Sequence, residues 1–219
     1  DPSGIVAAVL GRCAQIGSDH PAAGPASAVR RAAAAFPGDV GVVLSLLLNH
    51  VRLEPGEAIF LGAGNVHCYL DGLGVEVMAN SDNVLRCGLT PKHVDVAEVV
   101  AVTDFTALAE PRCPVRAGGS NAGEDVEFDV PVPDFAVTVI DLDRHRGRRD
   151  VDRHGPHIAL CVAGAPDVAA RGDTLRLHPG QAAFVPATDA GFTLTGTGRV
   201  VLAGTGLDAA TRAGAAAQI

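Results

Sequence analysis

The chain has 219 residues, 47% of them hydrophobic, and a formal net charge of −8 at neutral pH. That length supplies one large domain or two modest ones and can bury a core without disulfide staples, while the acidic balance argues against nucleic acid and anionic membrane as partners. The longest apolar runs, such as 40–48, fall well short of the roughly 20 residues a spanning helix needs, and no signal-type segment opens the sequence. The five cysteines are odd in number and scattered, with no CxxC pair, which predicts reduced thiols in a cytoplasmic protein. All but one of the 17 basic residues are arginine. That skew, with the alanine-rich composition, reads as coding bias.

In chain order, residues 1–48 carry helical signals. Apolar residues recur at helical spacing over 5–16, and Ser27–Phe36 opens on a candidate N-cap serine and is rich in alanine, the best helix former. A Gly/Pro/Ala loop over 17–25 separates the two, and Pro37-Gly38-Asp39 ends the second. From about Val51 short apolar runs alternate with Gly, Pro, Asn and Asp, the texture of short strands joined by tight turns. A helical stretch returns over 94–108. Residues 111–126 read as a linker, strand texture resumes over 127–207, and 208–219 form an alanine-rich tail. The expected organisation is mainly β with an α-helical N-terminal segment: a helical segment 1–48, a first β-rich part 49–110 with its following helix, the linker, and a second β domain 127–207.

Two stretches repeat one pattern. LEPGEAIFLGAGNVHCYL begins at Leu53, and LHPGQAAFVPATDAGFTL begins at Leu177. Each sets a Pro-Gly turn after an apolar residue, then a strand, then a second turn, as expected of two copies of one jelly-roll architecture. The first copy runs from Gly56 through Gly62-Ala63-Gly64 to His67. This is similar to the second motif of the cupin superfamily, G-x5-P-x-G-x2-H, with Gly62 where proline is usual. Glycines there permit a tight turn, and a neutral imidazole after it suits a metal. The second copy has Gly191 in the histidine position, so metal chemistry is expected only in the first and the C-terminal barrel is read as structural.

Downstream, YLDGLGVEVMANSDNVLRCGLTPKHVDV packs polar residues among apolar ones. This run is very similar to the signature of the type I phosphomannose isomerases. The segments AAAAFPGDVGVVLSLLLNHVRLEPGEAIFLGAGNVHCYL, VPDFAVTVIDL and LHPGQAAFVPA extend the resemblance over about 26–205. It implies cupin-type jelly-roll barrels, a partial catalytic cupin followed by a complete C-terminal cupin-like barrel. It also implies a cytoplasmic, monomeric, zinc-dependent isomerase interconverting mannose 6-phosphate and fructose 6-phosphate by proton transfer between C1 and C2. By the same resemblance His67 is a zinc ligand and Arg86 the catalytic residue, with Tyr69, Glu76 and Lys92 lining the sugar-phosphate site. The family's zinc has four protein ligands, of which His67 matches the last. No Q-x-H or H-x-H segment for the others occurs in these 219 residues. The implied zinc site is thus incomplete in this chain, which looks like the C-terminal portion of such an enzyme. The rival reading is a non-catalytic bicupin module that holds a sugar phosphate or pairs with another subunit without metal.

Other features read more plainly. Arg86 has a structural alternative as a buried partner of Asp82 or Glu76. His154 and His157 flank Gly155-Pro156 and are read as a solvated turn. The arginine-rich run 144–153 is read as a solvated hairpin, and Cys68 and Cys87 as packing residues.

Overall fold

Alanine and spaced aliphatic residues produce the expected helices at the N-terminus. The computed structural model describes residues 2–81, 83–116, 125–152, 155–189 and 191–206. Helix α1 spans Pro2–Ala14 and α2 spans Ala23–Ala35. The second starts four residues before the expected Ser27, and no side chain caps it. Pro25 does not stop it, because the N–H groups of a first helical turn have no intrahelical partner to lose. Helix α3, Gly41–Leu44, and a 3-10 turn, Ser45–Leu47, follow the Pro37-Gly38-Asp39 break. Val6, Cys13, Ala26, Val29, Ala32 and Val42 form the buried centre of this helical group, with Leu89 packed against it.

Helix α4 covers Val96–Val102, shorter than the expected 94–108. Asp95 caps it, its carboxylate accepting the Glu98 N–H at 3.0 Å, and the pairing of an N-cap acceptor with a glutamate at N3 is a start signal. Between Val51 and Asp95 the sequence predicts strands. Among the described residues this stretch forms turns and extended segments, with one isolated bridge, Ile59 to Arg112. Alternating apolar residues make a ladder only where a second strand takes up their backbone groups, and none of the described residues does so for 61–95.

The chain divides into two units. One comprises Asp1–Leu53, Leu61–Val75 and Ser81–Pro111; the other comprises Glu54–Phe60, Glu76–Asn80 and Arg112–Ile219. The expected first β part therefore contributes to both.

Among the described residues the second unit holds nine strands: β1 Asp125–Glu127, β2 Ala136–Asp141, β3 Arg148–Val151, β4 His157–Gly164, β5 Asp167–Ala170, β6 Asp173–Arg176, β7 Ala182–Val185, β8 Phe192–Thr195 and β9 Gly198–Gly204. They form a five-stranded sheet, β1-β2-β9-β4-β7, and a four-stranded sheet, β3-β8-β5-β6, with antiparallel pairing throughout. Period-two alternation turns Ile140, Ala159, Cys161, Leu194, Val200 and Leu202 into one core. Among the described residues no strand pairs from one sheet to the other.

Two expectations change here. Of the linker 111–126, residues on both sides are tied into the β unit. Val115 bridges Phe128, the Arg116 N–H donates to the Glu127 carbonyl at 2.8 Å, and Asp125 and Val126 belong to β1; 117–124 lie outside the described residues. The arginine-rich hairpin is not wholly solvated either. The His145 side chain is 4% exposed and its Nε2 lies 2.6 Å from Asp125 Oδ1, while Arg149 Nη2 lies 2.9 Å from Asp125 Oδ2. A carboxylate buried at the edge of the sheet requires such partners. His157 is likewise buried at the start of β4, beside the Phe192 ring, because its register on β4 turns it to the core side with Ala159; its companion His154 lies outside the described residues.

Leu194 is fully enclosed, so Leu194→Ala is expected to destabilise the β unit by about 3 kcal/mol, read as a lower denaturant midpoint. Asp125→Ala removes a carboxylate that both His145 and Arg149 contact and is expected to cost about 3 kcal/mol in the same assay.

Candidate functional site

The residues singled out by the sequence do not all share one unit. His67, Tyr69, Arg86 and Lys92 belong to the helical unit and Glu76 to the β unit. All five are solvent-exposed.

His67 and Tyr69 are brought together. Their ring centroids are 5.9 Å apart in an edge-on arrangement. His67 Nδ1 lies 3.1 Å from the Asn65 carbonyl oxygen. With Nδ1–H donating there, Nε2 presents its lone pair outward, as a metal-ligating imidazole does. Upstream, Asn65 Oδ1 accepts the Gly62 N–H at 3.2 Å, and the Gly64 carbonyl accepts the Asp104 N–H at 3.1 Å. Gly64 has φ +80°, and a Cβ there would come within 2.7 Å of the Val102 carbonyl oxygen. This second glycine of the motif therefore serves a close approach to the end of α4 as well as a turn. Downstream, Arg31 of α2 donates to the Leu70 carbonyl at 3.0 Å and pairs with Asp71 at 3.3 Å. The Arg31 guanidinium, followed by the Gly72 N–H, holds the Asp71 carboxyl below the usual carboxylate range.

Arg86 and Lys92 stand either side of a turn that the helical group fixes. Asp39 accepts the Gly41 N–H at 2.7 Å through one oxygen and the Leu89 N–H at 2.9 Å through the other. Leu89 has φ +50°, a left-handed conformation rare for leucine. Gly88, at φ +155°, comes close enough to Gly41 that a Cβ on it would lie 3.3 Å from the Gly41 Cα. Neither Arg31 nor Asp39 is marked out by a motif; Asp39 after Pro-Gly has the form of an ordinary turn residue. Desolvation pushes the Cys68 thiol upward, which disfavours a nucleophile, but the residue is exposed and not the packing residue expected.

The fit to zinc is partial. Catalytic zinc is held by three protein ligands or more, and among the described residues no group of three or more His, Cys, Asp or Glu could hold a metal. His67 has the form of one ligand, and these residues do not make the whole centre.

Residues 124–204 match the family model described as the cupin domain of mannose-6-phosphate isomerase. The chain is 41% identical over 165 residues to mannose-6-phosphate isomerase of Salmonella typhimurium, a match covering 75% of this chain and 41% of that protein. It is 39% identical over 176 residues to the Escherichia coli enzyme of that name, covering 80% and 44%. Its fold matches a crystal structure of an arginine-to-alanine variant of the S. typhimurium phosphomannose isomerase with TM-score 0.80 and 34% identity, over 94% of this chain and 51% of that one. Another structure of that enzyme, bound to fructose 6-phosphate as substrate and to zinc, matches with TM-score 0.75 and 35% identity over 92% and 49%. The chain thus spans about two fifths to one half of the length of these relatives.

Because the Asp71 carboxyl is held low, the Arg31 clasp stays charged from neutral pH down through the ordinary carboxylate range and is lost as pH falls through the depressed value. The Asp71 carboxyl is therefore expected to stay ionised throughout the ordinary carboxylate range and to protonate only below it, as an NMR titration followed at its own carboxyl carbon checks. By domain, sequence and fold, the chain is a relative of the mannose-6-phosphate isomerases and carries their cupin domain.

Proposed function

We propose that this chain works in a mannose-6-phosphate isomerase, interconverting mannose 6-phosphate and fructose 6-phosphate. The reading rests on the joint match in sequence and fold to that enzyme of S. typhimurium, at 41% identity and TM-score 0.80. The rival reading, a non-catalytic module, has no such support.

In this reaction a proton passes between C1 and C2 through an enediol, and negative charge gathers on the two sugar oxygens in the transition state. Arg86 is the catalytic residue in this reading. Its guanidinium stays charged at any working pH and presents a planar fork of donors to those oxygens. Lys92 offers a compact positive charge to the phosphate. Tyr69 hydrogen-bonds a sugar hydroxyl. His67 offers Nε2 to zinc as one ligand of several, and because one imidazole does not hold catalytic zinc, the metal's part of the chemistry is not supplied by the described residues. The reading places the protein in the cytoplasm, in keeping with five cysteines that carry free thiols, and as a monomer acting on a small sugar phosphate.

The test is turnover of mannose 6-phosphate, followed as fructose 6-phosphate, by the gene product that carries this chain. Arg86→Ala is expected to lower kcat about 100-fold or more, with KM little changed, and His67→Ala to lower the zinc content. Parental kcat in Arg86→Ala would overturn the assignment.

A further inference from the structure

Arg31 and Asp39 come from the helical segment, and each closes on the backbone of a segment bearing candidate site residues. Arg31 grips Leu70 and Asp71, immediately after the His67–Tyr69 pair. Asp39 takes the Leu89 N–H, three residues after Arg86. We infer that Arg31 and Asp39 are positioning residues of the site, the first setting the His67–Tyr69 segment and the second setting Arg86. The inference rests on the isomerase reading given above.

The Asp39 contact is more than a loop hydrogen bond. Its carboxylate joins the Gly41 N–H to that of Leu89, 50 residues on from Asp39 itself, and it is only partly exposed. It holds Leu89 in a left-handed conformation that costs about 1 kcal/mol or more and persists only where surroundings over-determine it. The Leu89 side chain completes the hold by packing on the buried centre formed by α1, α2 and α3. Gly41 and Gly88 leave no room for a side chain between the two segments. A Cβ on Gly41 would lie 3.0 Å from Leu89 Cγ and 3.1 Å from the Leu89 nitrogen. The direction in which the chain leaves Arg86 is thereby set by the helices.

Arg31 acts by its shape. One nitrogen reaches a backbone carbonyl and the other a carboxylate on the next residue, a forked grip that the single ammonium of lysine does not reproduce. Together with the Gly64–Asp104 hydrogen bond, it pins the His67–Tyr69 segment at both ends. The buried face of α2, Ala26, Ala28, Val29 and Ala32, anchors the helix from which Arg31 reaches out.

A double-mutant cycle tests the Asp39 role in the gene product that carries this chain. Asp39→Ala is expected to lower kcat at least about tenfold, and to cost less than about twofold more when Arg86→Ala is already present. A purely structural residue would cost the same in both backgrounds. Asp39→Asn, which keeps the size and one acceptor oxygen, gives an intermediate loss and serves where the alanine variant does not fold. Faster hydrogen exchange of the Leu89 amide in either variant is the activity-independent readout. For Arg31, the readout is hydrogen exchange of the backbone amides of 67–72 in the 219-residue chain, expected to quicken in Arg31→Ala and, less strongly, in Arg31→Lys. Parental kcat in Asp39→Ala, losses that multiply with Arg86→Ala, or unchanged exchange over 67–72 in Arg31→Ala would overturn the inference alone. Parental kcat in Arg86→Ala would overturn the isomerase reading and the positioning role with it.

Discussion

A single carboxylate organises the helical unit. Asp39 accepts one N–H from the start of α3 and one from Leu89, far along the chain. Two backbone donors are satisfied by charge-assisted bonds, and a helix start and a left-handed turn are fixed against each other. Without that join, the helices would still pack through Val29, Ala32 and Val42, but the long segment between Leu48 and Asp95 would have little to dictate its course. That segment has few ladders of its own, so its geometry is borrowed from side-chain grips and close glycine contacts.

The two units meet this problem in opposite ways. In the β unit, backbone groups are paired along two sheets and the alternation of apolar residues fills one core between Ile140, Leu194 and Leu202. Stability there is spread over many equivalent contacts. In the helical unit, the segments bearing the candidate site residues are exposed and are held at a few points. Loops that carry function on a rigid scaffold are a common division of labour.

How much of this is legible in the sequence follows from the range of the interactions. The C-terminal strands declare themselves through local alternation and turn residues, and Asp95 before Val96 announces α4. The family run from Tyr69 to Asp95 points to the chemistry because its residue types and order are specific. Other features need partners remote in sequence. Ser27 looks like an N-cap, yet the alanine-rich helix begins earlier, since propensity is a weaker guide to a boundary than to an element. The strand texture of 51–95 reads as strands, but pairing is a property of two segments. His145 and Arg149 read as solvated because charged residues usually are, until Asp125 is seen beside them. Arg31 and Asp39 carry no motif at all, because what distinguishes them is the residue each touches.

The short strand β1 has a consequence for self-association. Among the described strands it is the outer one of the five-stranded sheet, it is only three residues long, and its Glu127 carbonyl already accepts the Arg116 N–H. It carries two acidic residues. Asp125 is held by His145 and Arg149, and Glu127 lies 3.4 Å from Arg116. Exposed edges offer unpaired N–H and C=O groups to any other extended chain, and proteins blunt them with short, charged strands. Here β1 covers the flank of β2, whose alternating Val137 and Val139 would otherwise form a longer apolar border. The ion pairs that fasten β1 therefore guard the sheet against adding a foreign strand, and a chain that lost them would be exposed to edge-to-edge aggregation while its core was still folded.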